Sequence, residues 1–430
     1  MSNAAASLRR YAIVLLVSSM MIVLASWVSW IAGVIDSKGT SDPNGNPVGV
    51  DYAIFHTGGR ILAEGNQESL YDETAFLAEL SITADVDEPT SSPTFVNPPI
   101  FAAVFMPLAD VEYRTGLAIW STIGLVALGV SIRLIGPRML IPAVAASLLF
   151  HPVFVTFRLG QNSLVSLLLL SACLAALSRG NQSLAGIVLG LLVYKPQLAL
   201  GVAIWWTVDW QTYRRAWISA LTTATSLIAI GWLLWPEATS AYFGGFRDLV
   251  TTANPGFLRS TFSPYGFFAV LLPGNDVAIT VLTVLSAVAG LAWFLSYWQN
   301  HRVDLTNLFA LAVILSLWLA PRVVVYDWTL LLIPAFVLVR QRSDLQDTWL
   351  LLSAVITMAA ATSRHFTVMQ LDSWGRAIQV AVPILALAAI GATRALAANP
   401  PRTGEPDPEI PSDQSLPGQQ NETPYPKLDL

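Results

Sequence analysis

The sequence predicts an all-α polytopic membrane protein, and three observations carry that prediction. Hydrophobic residues make up 54% of the chain and charged residues only 12%, about half the charged share of a soluble domain. Mean hydropathy is +0.58, and apolar runs long enough to cross a bilayer recur along most of the 430 residues. Lys and Arg cluster at alternating ends of those runs, which is the charge pattern of a multi-pass chain. The net charge of −5 excludes a nucleic-acid footprint. A single cysteine, Cys173, lies inside an apolar run, so neither an internal disulfide nor a thiol metal site is expected.

The elements follow in order. Arg9 and Arg10 precede an apolar run from Tyr11 to about Ile35, which reads as a signal-anchor span with residues 1–10 in the cytoplasm. Between Asp36 and Asn97 stand eleven acidic residues but only Lys38 and Arg60 as bases, so the loop 36–99 is expected outside. Amphipathic pieces at Ala53–Gly65 and Glu73–Leu80 suggest helices lying on the membrane surface. Pro98-Pro99 opens a short apolar helix ending near Leu108. Spans are then expected at Tyr113–Ile135, Met139–Phe157 and Leu164–Leu177. Gln182–Val208 carries Lys195-Pro196 near its middle. One straight helix there would put Arg214 and Arg215 outside, so a broken hairpin with both ends cytoplasmic is preferred. Arg215–Trp235 crosses outward, Pro236–Thr261 is a second external loop, and Ser263-Pro264 starts another short helix. Further spans fall at Val277–Trp298, Val303–Ala320, Tyr326–Val339, Leu345–Ala361 and Gly375–Leu396, which makes about twelve embedded helices. The membrane-embedded domain is thus 11–396, and residues 397–430, rich in Pro, Gln and acids, form a disordered cytoplasmic tail.

Val50–Asp72 is the stretch around which the chemistry is arranged. Asp51 stands at the start of a helical pattern, and Tyr52, His56 and Arg60 recur on one stripe of it. Gly65 is placed to end that helix. Asp51 reads either as a helix N-cap or as a functional carboxylate. A second signal is a set of basic residues on the unexpected side: Arg158, Lys195, Arg259, Arg322 and Arg364 all fall at external helix ends or at the hairpin apex. Such groups are tolerated when paired, as Arg322 with Asp327 or Arg364 with Asp372, or when they receive an anion such as phosphate. Polar and proline breaks at Phe95–Pro99, Leu159–Asn162, Lys195–Gln197, Ser263–Gly266 and Pro321–Asp327 share that level. Irregular backbone there must line protein or water, so one anion-seeking cavity accounts for all five.

The ordered set of motifs resembles glycosyltransferase family 87. It comprises Asp51, Gly65, Leu70-Tyr71-Asp72, Phe95-Val96-Asn97-Pro98-Pro99, Leu159-Gly160-Gln161-Asn162, Tyr194-Lys195-Pro196-Gln197 and Pro321-Arg322 before Tyr326-Asp327, spread over residues 45–340. The resemblance implies a GT-C fold and a hexosyltransferase using a polyprenyl-phosphate-linked sugar, mannose first. It also implies inverting transfer to a lipid or glycan hydroxyl outside the cytoplasm, in a bacterial cytoplasmic membrane, with Asp51 as base. The family is similar to polyprenol-phosphate-mannose-dependent α-1,2-mannosyltransferases, and where a late histidine is expected from that resemblance this chain has Pro321-Arg322-Val323-Val324-Val325-Tyr326-Asp327. His301 is predicted on the other side, which leaves His56 and His365 for any histidine role.

Such a transfer needs a base for the hydroxyl and donors for the leaving phosphate. Asp51, with His56, fits the first need. Arg60, Arg158, Lys195, Arg322 and Arg364 are candidates for the second, with Gln161, Asn162, Gln197, Tyr326, Asp327 and His365 as neutral or orienting partners. Asn162 reads equally as a helix cap, and Lys195 as a lysine snorkelling to headgroups. No cofactor is implied beyond the donor. The sequence requires no divalent metal, because Asp85, Asp87 and Glu88 read as a solvated acidic loop. The competing function is a transporter or flippase of an anionic lipid or sugar phosphate, which a basic cavity with broken helices would also suit.

Overall fold

In the computed structural model, residues 3–37, 40–41, 47–85, 94–136, 139–251, 260–341, 368–370, 377–379 and 381–397 are described. Four of their helices are long and apolar enough to cross a membrane: Ile13–Asp36 within α1 (Asn3–Asp36), α5 (Tyr113–Ile135), α11 (Trp210–Leu234) and α14 (Asp276–Asn300). Their apolar side chains remain largely exposed, Leu233 at 80% and Val277 at 75%. A hydrocarbon surround explains that exposure, and water does not.

The expected span Met139–Phe157 is instead broken. Helices α6 (Leu140–Leu148) and α7 (His151–Leu159) meet at 71°. Phe150 is extended, and Pro152 in the first turn of α7 has no N–H to continue the ladder of α6. Helix α8 (Ser163–Ser178) follows as expected. The Lys195 break is also present: α9 (Gln182–Gly190) and a 3-10 turn, Leu191–Tyr194, lead to it. A second turn, Pro196–Ala199, and α10 (Leu200–Val208) lead away.

The two arms return to one end. Gln182 donates to the Thr212 carbonyl (2.7 Å), and Trp217 donates its indole N–H to Thr207 (3.0 Å), so both open ends meet the first turns of α11. Gly186 abuts Ala216 and Gly190 abuts Ala220, so α9 and α11 run parallel in close contact. Thirteen residues on from Gln182, Lys195 lies about 20 Å away along that direction. The broken hairpin therefore has the predicted shape.

Other elements depart from expectation. Helix α2 (Val50–Ala63) does not lie on a surface: nine of its residues are buried, against the 3-10 turn Ala103–Leu108 that continues α4 (Pro99–Ala102). Gly59 makes that approach possible, since a Cβ there would sit 2.6 Å from the carbonyl carbon of Phe105. Helix α3 (Glu73–Ala84) is capped by Asp72, which accepts from Ala75 N at 2.8 Å. The loop after Trp235 is helical, as α12 (Pro236–Thr251). Helix α13 (Pro264–Leu271) starts on Ser263, and α15 (Leu305–Leu319) on Asp304. The next span begins as a 3-10 turn, Val325–Leu331, before α16 (Leu332–Gln341). The last is preceded by a short antiparallel hairpin, Val368–Gln370 with Ala377–Gln379, so α17 (Ala381–Ala397) starts later than Gly375 and the fold is not wholly helical. The twelve-helix count rests partly on Leu345–Ala361, which lies outside the described residues, as do the tail, Arg259, Arg364 and His365.

Candidate active site

Four breaks in helical structure converge at the apex of the hairpin. The first is the entry to α2. Gly49, in the left-handed region at φ +77°, is the N-cap, and Asp51 falls inside the first turn, so the capping reading of Asp51 is corrected. The second is Gly160-Gln161-Asn162 between α7 and α8. Gly160 has φ +70°, and its missing Cβ leaves room for Tyr52, whose backbone N would lie 3.2 Å from such an atom. Trp120 fixes this glycine by donating to its carbonyl at 2.9 Å. Close backbone packing of Gly160 on Tyr52 is what sets Asp51 beside Gln161.

The third break is Lys195 and the fourth is Pro321–Val324. Lys195 Nζ donates to Asp327 Oδ1 at 3.0 Å and reaches Gln161 Oε1 at 3.5 Å. Its ammonium also stands 4.8 Å over the Tyr326 ring. Asp327, 3% exposed, is otherwise satisfied: Ser163 Oγ donates to Oδ1 (3.3 Å) and Val324 N–H to Oδ2 (3.0 Å). The Gln161 amide oxygen also accepts from Asn162 N–H at 2.9 Å. With the oxygen so occupied, the amide N–H groups face Asp51, and Gln161 donates to that carboxylate. Arg322 interacts electrostatically with Asp51, Tyr326 and Asp327. Its backbone is pinned on both sides, by Ser263 donating to Pro321 O (3.0 Å) and by Phe262 N–H donating to Val323 O (2.6 Å).

A bonded chain thus runs Asp327–Lys195–Gln161–Asp51, with Arg322 alongside. Burial raises the Asp51 carboxyl to about 6. The Gln161 hydrogen bond, Lys195 and Arg322 oppose that rise, and Asp327 adds to it. A carboxylate that exchanges its proton near neutrality beside two cations is suited to proton transfer next to an anion.

The model of glycosyltransferase family 87 matches residues 95–321, a stretch that holds the breaks at Gly160–Asn162 and Lys195 and ends at Pro321, while Asp51 lies before it. The chain belongs to glycosyltransferase family 87. No curated protein and no solved structure matches it significantly. The family and the apolar helices together make it a membrane glycosyltransferase.

Within this family 87 chain, the structure gathers some of the expected residues and sets others apart. Asp51, Gln161, Lys195, Arg322, Tyr326 and Asp327 come together. His56 does not: it is buried on the far side of α2, stacked on Tyr52 (5.4 Å), with Nε2 2.8 Å from the Leu108 carbonyl, and burial lowers its proton affinity. Arg60 is taken by Glu64 one turn on (2.7 Å), a surface pair. Arg158 is exposed on the last turn of α7, beside His151 rather than Asp51. Gln197, half-buried on the turn after Lys195, does not join the chain of bonds. Asn162 gives its backbone N–H to Gln161, but its fully buried side chain makes no cap for α8. The expected Arg322–Asp327 pairing is corrected in part, because the carboxylate of Asp327 is occupied by Lys195. Snorkelling is also corrected: the Lys195 side chain is 11% exposed and points into protein. Sequence reasoning missed Ser163, and it missed Tyr194, whose hydroxyl bonds Ser166 at 2.9 Å under the break. Tyr194 stood in a motif already singled out, while Ser163 carried no signal beyond its place after Asn162.

Proposed function

We propose that this protein transfers a sugar, mannose first, from a polyprenyl-phosphate donor to a hydroxyl of a lipid or glycan acceptor, with inversion. Asp51 takes the proton of the acceptor hydroxyl as its oxygen attacks the anomeric carbon. The bond from that carbon to the phosphate oxygen breaks, and the electron pair leaves with the polyprenyl phosphate. Lys195 and Arg322 meet the charge that grows on that oxygen, the kind of stabilisation that is often the largest catalytic contribution. Gln161 orients Asp51. One observation carries the reading: a carboxyl raised to about 6 stands one side chain away from a buried lysine and next to an arginine. A transporter of an anionic lipid would use the same cations, and a carboxyl near neutrality would serve it only if transport were coupled to protons, so transfer itself is what separates the two.

The distribution of basic residues supports a site facing away from the cytoplasm, and the family resemblance suggests a bacterial cytoplasmic membrane as its setting. Arg179, Arg214 and Arg215 collect at the end where the hairpin opens, and the positive-inside bias makes that end cytoplasmic. The Lys195 apex then lies toward the other face. The test is transfer by purified protein in lipid, using a panel of polyprenyl-phosphate sugars and radiolabelled product. Turnover with at least one donor, lost on Asp51→Asn, is expected. Movement of a labelled anionic lipid across the bilayer with no transfer from any donor would establish the transporter instead.

A further inference from the structure

Along the contact of α9 with α11, beginning at the end away from Lys195, two cavities of about 380 Å³ each open in the groove between the two helices. The first is polar and cationic, lined by Arg179, Asn181, Gln182, Ser183 and Arg215. The second begins about one turn further along and is walled by Ile187, Ile218 and Leu227, with Thr222 and Thr223 between them. Thr223 donates its hydroxyl to Ser219 O on its own helix (2.9 Å), and its methyl group packs toward Gly190. Ile187 is 45% exposed and Ile218 56%, so this wall faces outward, which in a membrane protein means toward lipid.

Charge decides the occupant. Arg179 is steadied by donating to the Ala175 carbonyl (3.0 Å), and among the described residues neither Arg179 nor Arg215 is ion-paired to a carboxylate. Two like charges on one cavity favour an anion, and guanidinium groups match phosphate oxygens well. A free phosphate would leave the adjoining apolar wall unused. From Arg215 to Leu227 the groove runs about 18 Å along α11, the span of a phosphate group followed by much of one acyl chain.

We infer that this groove binds an anionic phospholipid, with its phosphate between Arg179 and Arg215 and one acyl chain along Ile187, Ile218 and Leu227. The phosphate end of the site lies at the other end of the hairpin from Asp51, and the site does not depend on the transfer reaction.

The test is native mass spectrometry of the full chain released from micelles containing equal phosphatidylglycerol and phosphatidylcholine. Wild type is expected to retain one phosphatidylglycerol in preference. The Arg179→Gln/Arg215→Gln double variant should lower that retention about tenfold or more, the size of losing a charge-assisted contact. Ile218→Trp, which fills the groove and leaves both arginines, should lower it as well, whereas Arg214→Gln, next in sequence but outside the cavity, should not. Equal retention of the two lipids, or an effect of Arg214→Gln as large as the double variant's, would overturn the site in favour of diffuse surface charge. Displacement of the lipid by millimolar inorganic phosphate together with no effect of Ile218→Trp would overturn the lipid and leave an anion site only.

Discussion

Replacing Asp51 by asparagine separates a base from a structural carboxylate. The carboxyl rises from 3.8 to about 6, chiefly by burial. A rise of that size corresponds to about 3 kcal/mol spent on keeping the group ionised, at about 1.36 kcal/mol per pH unit. Partial exposure of Asp51 reduces the figure, so about 1–3 kcal/mol is the working range. The sign follows from linkage. A carboxyl raised in the fold holds its proton more tightly there than in the unfolded chain, so wild-type stability falls as pH climbs from about 4 through about 6. An asparagine side chain at this position carries no such cost and still offers an oxygen to Gln161. At pH 8 the Asp51→Asn variant should therefore be as stable as wild type or more so, by up to about 3 kcal/mol, with the two proteins converging at about pH 4. Its transfer rate should fall about 10²-fold or more, the usual loss with a general base, while wild-type transfer rises with pH through about 6. Thermal melts across pH and single-turnover transfer measure both. A variant that turns over like wild type, or that melts lower at pH 8, would refute the assignment.

Three other outcomes follow from the geometry. Lys195→Met alone should destabilise by about 3–5 kcal/mol, because it strands the buried Asp327. Adding Asp327→Asn should recover stability but not donor affinity, and recovery of both would remove Lys195 from the phosphate site. Gln161→Leu takes a hydrogen bond from the Asp51 carboxylate, so the acid limb of the pH–rate profile should move to higher pH with the melting temperature little changed. An unmoved limb would mean that Gln161 does not orient the base. Gly160→Ala places a Cβ against Tyr52 in a left-handed backbone, so it should cost more than about 1 kcal/mol and lower transfer; a neutral result in melts and assays would show that α2 can shift.

Much of this was legible in the sequence, for a physical reason. Polar-plus-proline breaks in apolar runs are conspicuous because hydrocarbon penalises them, and the breaks at 159–162, 195–197 and 321–327 do come together in the structure. The bend at Phe150 was equally announced by Pro152, but the length of the run 139–157 sufficed for one span and hid it. What sequence periodicity could not supply was partnership. Lys195 and Asp327 are 132 residues apart, and no local pattern chooses between Lys195 and Arg322 for that carboxylate. The stripe Tyr52, His56, Arg60 was real as a helical face. Its orientation was misread because an acidic loop suggests a helix on a surface, whereas Gly58 and Gly59 let α2 sink among Phe95 and Phe105. His56 then serves packing and Arg60 serves Glu64.

The broken hairpin carries a consequence for how such a chain is assembled. Because α9 departs from, and α10 returns to, the first turns of α11, the whole piece from Gln182 to Val208 adds no net crossing. It is topologically silent. The helices before and after it keep their orientation whether it inserts early, late or not at all, so the lysine at its tip can enter after its surroundings are in place. A costly charge at the tip thus enters the bundle without fixing the orientation of any helix before or after it.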